Sequence, residues 1–112
     1  MNISIEQQNE VTTVVAGGRL DVMGAPEIEA SCKKLIAEGT QRLLLDMASV
    51  EYISSAGLRS LLVLAKAMKA SGGTMVLCSL TAAVREVMEI SGFDNVLSLA
   101  PDRSAAMALL TT

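Results

Sequence analysis

Ile3 and Ile5 alternate with polar neighbours, and a second apolar run, Val11 to Val15, begins after Gln8-Asn9-Glu10. Alternation with a period of two marks a half-buried strand, and turn residues between two such runs mark a hairpin. Gly17-Gly18 predicts the end of the second strand and leaves Arg19-Leu20-Asp21 in a loop. Pro26 suits a first helical turn, and Ile28, Cys32, Leu35 and Ile36 recur at helical spacing. The spacing predicts a helix to about Glu38, with Gly39 as its stop.

Leu43-Leu44-Leu45 is a continuous apolar run closed by Asp46, as expected of a strand covered on both faces, and Val50 to Ile53 reads as a short extension. From Ser55 a second helix carries Leu58, Leu61, Leu62, Ala65 and Met68 on one face, with Arg59, Lys66 and Lys69 mostly elsewhere, until Gly72-Gly73. Thr74 to Cys78 is another buried strand. A third helix, about Thr81 to Ile90, presents Val84, Val87 and Met88 and stops at Gly92. Val96-Leu97-Ser98-Leu99 predicts a last strand, and Asp102 caps a closing helix through about Leu110. Strands alternate with helices from residue 40 onward, which is the pattern of an α/β sheet with parallel strands.

Length makes this one domain over residues 1–112, since single domains commonly run about 100–150 residues. Aromatic residues are 2% of the chain, Trp is absent, and the formal charge is −3. Stacking platforms and a basic surface are both missing, so no direct nucleic-acid partner is expected. With no His, Ser-His and Cys-His nucleophiles are excluded, and two Cys cannot complete a zinc site. No metal, no cofactor and no catalytic residue is expected. Cys32 and Cys78 lie among apolar residues and read as buried free thiols in a reducing compartment. The seven Met residues read as scattered core fillers, and Lys33-Lys34 as a solvated helix face. The longest uncharged stretch, Ala70 to Val84, contains Gly, Ser and Thr, and the N-terminus lacks a basic start before an apolar run. Neither a membrane helix nor a signal peptide is expected, and the chain reads as a soluble cytoplasmic protein.

One segment asks for chemistry: Tyr52-Ile53-Ser54-Ser55-Ala56-Gly57-Leu58 places two hydroxyls where a strand meets a helix. One Ser there is readily an N-cap. Two, flanked by Ala56 and Gly57, exceed what a cap needs, and ligands of open α/β sheets bind outside the carboxyl ends of strands. A helix N-terminus also favours negative charge, so a phosphate at Ser55 would be tolerated. Gly-x-Ser-x-Gly and Gly-x-x-x-x-Gly-Lys are both absent, which removes a nucleophile elbow and a nucleotide cradle.

Asp46-Met47-Ala48-Ser49-Val50-Glu51-Tyr52-Ile53-Ser54-Ser55-Ala56-Gly57-Leu58 resembles the central motif of the STAS domain of bacterial anti-sigma factor antagonists. Gly18-Arg19-Leu20-Asp21 resembles the family's earlier Gly-x-Leu-Asp loop, and Gly72 to Cys78 a later strand start. The resemblance implies a mixed, mostly parallel β-sheet flanked by about four helices. It also implies a Ser at the start of the second helix that accepts phosphate from an anti-sigma factor with Ser/Thr kinase activity. The unphosphorylated domain would bind that factor and free the sigma factor, and a PP2C-type phosphatase would restore it. Carried onto this chain, the phosphoacceptor is Ser55, with Ser54 the alternative; the register with Gly57 and Leu58 favours Ser55. The family usually has Asp before the acceptor and often Ser or Thr after it, where this chain has Ser54 and Ala56. The implied partner-binding residues are Asp21, Ser54, Ser55, Ala56, Gly57, Leu58 and Arg59. Arg59 is one helical turn from Ser55, within reach of a phosphate there or of a partner. Two other readings use the same fold: a non-switching adaptor in a signalling or lipid-transport assembly, and a small-ligand or nucleotide-binding module.

Overall fold

A computed structural model describes residues 1–111. The elements run β1 (Asn2–Gln8), β2 (Val11–Leu20), α1 (Ala25–Ala37), β3 (Arg42–Ile53), α2 (Ser55–Ala70), β4 (Thr74–Cys78), α3 (Ala82–Ser91), β5 (Leu99–Ala100) and α4 (Arg103–Thr111). The five strands lie side by side in chain order; β1 is antiparallel to β2 and every other pair is parallel. The expected α/β architecture, with a mixed, mostly parallel sheet and four α-helices, is the one observed.

Local signals set the helix ends. Pro26 lies in the first turn of α1, Thr81 Oγ1 accepts from Val84 N–H at 3.3 Å to cap α3, and Gly92 closes α3 in the left-handed region at φ 79°. Asp102 Oδ1 accepts from Ala105 N–H at 2.7 Å to start α4. The Leu43-Leu44-Leu45 run is continuous because both faces of β3 are covered. Leu43 and Leu45 pack with Ile28, Leu61, Val84 and Met88 of α1, α2 and α3, while Leu44 faces Ala106 and Leu110 of α4. On α2 the buried stripe is Gly57, Leu58, Leu61, Leu64 and Met68; Leu64 fills the core and Leu62, expected there, is only partly buried. Met47, Met68, Met75 and Met88 are core residues, whereas Met23 is exposed. Both Cys are buried free thiols, and burial pushes the Cys32 thiol up to about 12.

The strands depart from expectation at three places. Gly17-Gly18 does not end β2, which continues to Leu20. The pairing with β3 instead shifts register between Val15 and Gly17 and again between Gly18 and Arg19, with Gly18 at φ 102°. The glycines therefore bend the strand through bulges. Asp46 likewise does not close β3; its Oδ1 accepts from Ala48 N–H at 3.0 Å, serving the backbone where the ladder shifts. The predicted strand at Val96–Leu99 is displaced: Phe93–Asn95 is a 3₁₀ turn, Leu97 N–H donates to Phe93 O at 2.9 Å, and β5 holds only Leu99 and Ala100.

The other oxygen of Asp46 anchors α4. Arg103 donates to Asp46 Oδ2 from Nη2 at 2.7 Å and from Nε at 3.2 Å, and reaches Glu6 Oε2 on β1 at 3.3 Å. One guanidinium thus ties α4 to a central strand and an edge strand, and pairing with Asp46 raises its own pKa. Arg103→Ala leaves a largely buried carboxylate half-satisfied, so it should destabilise the fold by about 2 kcal/mol. Urea unfolding followed by circular dichroism checks this.

Candidate functional site

Ser54 leaves β3 with extended backbone, φ −104° and ψ 177°. Its N–H donates to Leu20 O at 3.0 Å, its O accepts from Leu58 N–H at 2.9 Å, and its Oγ accepts from Gly57 N–H at 3.4 Å. Ser54 is therefore the N-cap of α2. Ser55 is the first helical residue and is exposed, and its hydroxyl has no hydrogen-bond partner among the described residues. The structure divides the two hydroxyls, one holding the helix and the other facing solvent.

The position of this turn is set by close backbone approach. A Cβ added to Gly57 would lie 2.3 Å from Leu20 O and 2.9 Å from Ile53 Cγ1. A Cβ at Gly24 would lie 2.3 Å from Arg19 O. The last two residues of β2 are thus gripped by the starts of α1 and α2 together. Gly57 and Leu58 are buried beneath the candidate partner face rather than displayed on it, and Ala56 is partly buried.

Asp21 shapes the neighbouring loop. Its Oδ1 accepts from Met23 N–H and Gly24 N–H, each at 3.0 Å, its O accepts from Ala25 N–H at 2.8 Å, and Arg19 Nε approaches Oδ2 at 3.4 Å. The Gly24 amide above all, joined by the Met23 amide and Arg19, holds the Asp21 carboxyl below its ordinary value against a smaller opposing effect of desolvation. Arg19 also lies over the Tyr52 ring, 4.1 Å from its centre, a cation–π contact. The loop so braced displays Val22 and Met23, which are 71% and 77% exposed. These two adjacent apolar side chains stand in water beside the start of α2, held out by the Asp21 turn. Their exposure is not legible in the sequence, because a loop has no periodicity to reveal which of its residues face out.

Between α1 and α2, directly beside the Ser55 turn, lies an open cleft of about 270 Å³ lined by Val22, Ala25, Pro26, Ala56 and Arg59, with Glu29 and Ser60 at its base. Ser60 is buried and donates to Glu29 Oε1 at 2.7 Å, and Lys33 pairs with the other oxygen at 3.2 Å. The Ser60 hydroxyl, then Lys33, hold the Glu29 carboxyl below its ordinary value. Arg59 is exposed and has no ion-pair partner among the described residues. No group of three or more His, Cys, Asp or Glu among them could hold a metal ion, and no helix is long and apolar enough to cross a membrane.

Substitutions separate these roles. Ser54→Ala should cost about 1 kcal/mol by removing the cap, Ser55→Ala should stay within about 0.5 kcal/mol of the parent, and Gly57→Ala should cost more than about 2 kcal/mol because the backbone of Leu20 must move. Denaturant midpoints for the three variants test that ranking. Asp21 gives a pH signature. A carboxyl held low in the fold stabilises fully above its unfolded value, near about pH 4, and loses that contribution as the pH falls through its lower folded value. Stability measured from about pH 5 down to about pH 2 should therefore fall less steeply in Asp21→Asn than in the parent.

The model of the STAS domain family matches residues 2–106. BtrV of Bordetella bronchiseptica, a protein named as an anti-sigma factor antagonist, is 36% identical over 112 residues, spanning 100% of this chain and 97% of its own length. An anti-sigma-B factor antagonist of Staphylococcus aureus is 26% identical over 99 residues, or 87% of this chain and 92% of that protein. The fold is similar to the crystal structure of a Thermotoga maritima protein also named as an anti-sigma factor antagonist, with a TM-score of 0.92, 20% identity, and 98% and 95% of the two chains covered.

Proposed function

The chain belongs to the STAS domain family, with anti-sigma factor antagonists as its relatives, and on that premise we propose that it is a phosphorylation-controlled antagonist of an anti-sigma factor. In its unphosphorylated form it binds an anti-sigma factor that is also a Ser/Thr kinase and so releases the sigma factor. Phosphorylation of Ser55 switches that binding off, and a PP2C-type phosphatase resets it. The domain is the substrate of this chemistry and contributes no catalytic group.

The observation that carries this reading is the division of labour at the start of α2. Ser54 is occupied as the cap, while the Ser55 hydroxyl is exposed and uncommitted next to the displayed Val22 and Met23 loop. A kinase can take Ser55 without undoing the helix, whereas Ser54 would have to give up its bond to Gly57 first. The same arrangement supports a switch that acts at the surface. A phosphate brings about −1.5 to −2 charges at neutral pH. At a helix N-terminus that charge is stabilised within the domain. Across an interface fitted to a neutral hydroxyl and two apolar side chains, it must be desolvated against a surface shaped for the unmodified residue, which costs several kcal/mol.

Titration calorimetry with the cognate anti-sigma factor tests the reading. Ser55→Ala should bind as the parent does and resist labelling by the kinase. The protein phosphorylated on Ser55 should bind at least about 100-fold more weakly, with an unchanged circular dichroism spectrum. Equal affinity of the two forms, or full labelling of Ser55→Ala, would refute it.

A further inference from the structure

Three cations of the elements around the site, Arg19, Lys33 and the N-terminal ammonium, are committed to partners. Arg19 is engaged by the Tyr52 ring and by Asp21. Lys33 pairs with Glu29 at 3.2 Å, and the α-ammonium of Met1 pairs with Glu27 at 3.1 Å. Arg59 is exposed with no ion-pair partner among the described residues. It lies four positions after Ser55 on the same helix. Residues i and i+4 are neighbours on a helix surface, about 5–6 Å apart at Cβ. Helical side chains as a rule lean toward the N-terminus, which brings the turn that holds Ser55 within reach of the long Arg59 side chain. Arg59 also lines the same cleft as Ala56 of that turn.

We infer that Arg59 is the built-in counter-ion for a phosphate on Ser55, an assignment that rests on Ser55 being the phosphoacceptor. The first turn of α2 carries no acidic residue that would repel the phosphate or hold Arg59 in advance. Glu29, the carboxylate of the adjoining cleft, is already satisfied by Ser60 and Lys33. The planar guanidinium offers paired N–H donors to two phosphate oxygens, a geometry an ammonium cannot supply. Phosphorylation then does two things to the partner face at once. It adds a dianion at Ser55, and it withdraws the uncommitted cation of the α1–α2 cleft from any acidic group that a partner presents there.

The test uses the full chain with phosphoserine installed at position 55 during translation, so that it needs neither kinase nor partner. The phosphorus resonance is titrated with pH at low salt in three proteins: the parent, Arg59→Gln and Arg59→Lys. The second deprotonation of a phosphoserine ordinarily falls near about pH 6. A cation held against the phosphate favours the dianion, so the midpoint should lie lower with Arg59 than in Arg59→Gln, by roughly 0.3 of a pH unit. Arg59→Lys should fall between them, and about 1 M salt, where screening acts within ~3 Å, should draw the three together. Arg59 is a surface residue, and matching melting curves of the unphosphorylated proteins confirm that the comparison reports charge rather than folding. Coincident midpoints at low salt would overturn the inference. A clear Arg59 effect on the phosphate, combined with unaltered partner affinity in the phosphoprotein, would refute the switch and leave this pairing in place.

Discussion

The contact on which the site depends is that of Gly57 against the carbonyl of Leu20. With a Cβ at residue 57 only 2.3 Å from that oxygen, no other residue lets the first turn of α2 lie so close to the end of β2. The Leu20 carbonyl is also the acceptor for Ser54 N–H. One backbone group therefore fixes where the chain leaves β3 and how α2 is set, and through Ser54 it fixes which residue is the cap. The exposure of Ser55 is a consequence of that placement. So is the nearness of the Asp21 loop, because β2 runs directly into it and Gly24 grips the preceding carbonyl in the same manner.

This arrangement gives the displayed groups rigid supports. Ser55 projects from the first turn of a sixteen-residue helix whose opposite side is buried in the main core. Val22 and Met23 are held out by a carboxylate that accepts two backbone N–H groups. Neither element must fold upon binding, which lowers the ordering entropy that association would otherwise cost. Buried Ser60, bonded to Glu29, ties α1 to α2 beneath the cleft and so holds the Asp21 loop and Ser55 in a constant relation.

Features governed by neighbours in the chain were legible in the sequence; those governed by distant backbone were not. Pro26, Gly39, Gly92 and Asp102 mark helix ends through their own conformational preferences and near-neighbour bonds, and the structure places helix ends beside all four. The Gly17-Gly18 pair carries the same local signal as a turn, yet in the fold it forms bulges, because β3 pairs past it on the far side. Asp46 reads as a strand end until Arg103, 57 positions later, is seen to claim it. At the site, the strand-to-helix segment could be read, but its division into cap and free hydroxyl could not. Either Ser has cap chemistry, and Leu20 decides between them. Gly57 and Leu58, counted with the partner face from their place in the motif, are buried because the helix phase turns them inward.

The back of the sheet is held by contacts of its own. α4 is fastened to β3 and β1 through Arg103, Asp46 and Glu6, and its apolar side packs with Leu44 and Val76 in a cluster separate from the one beneath α2. A charge added at Ser55 meets a helix end that stabilises it, above the main core cluster and apart from the one behind the sheet. Had the exposed hydroxyl belonged to the cap, phosphorylation would have exchanged an internal bond for a new charge and coupled modification to the integrity of α2. With the cap on Ser54, a charge at Ser55 would leave the Gly57 bond intact and face outward, beside the exposed Val22 and Met23.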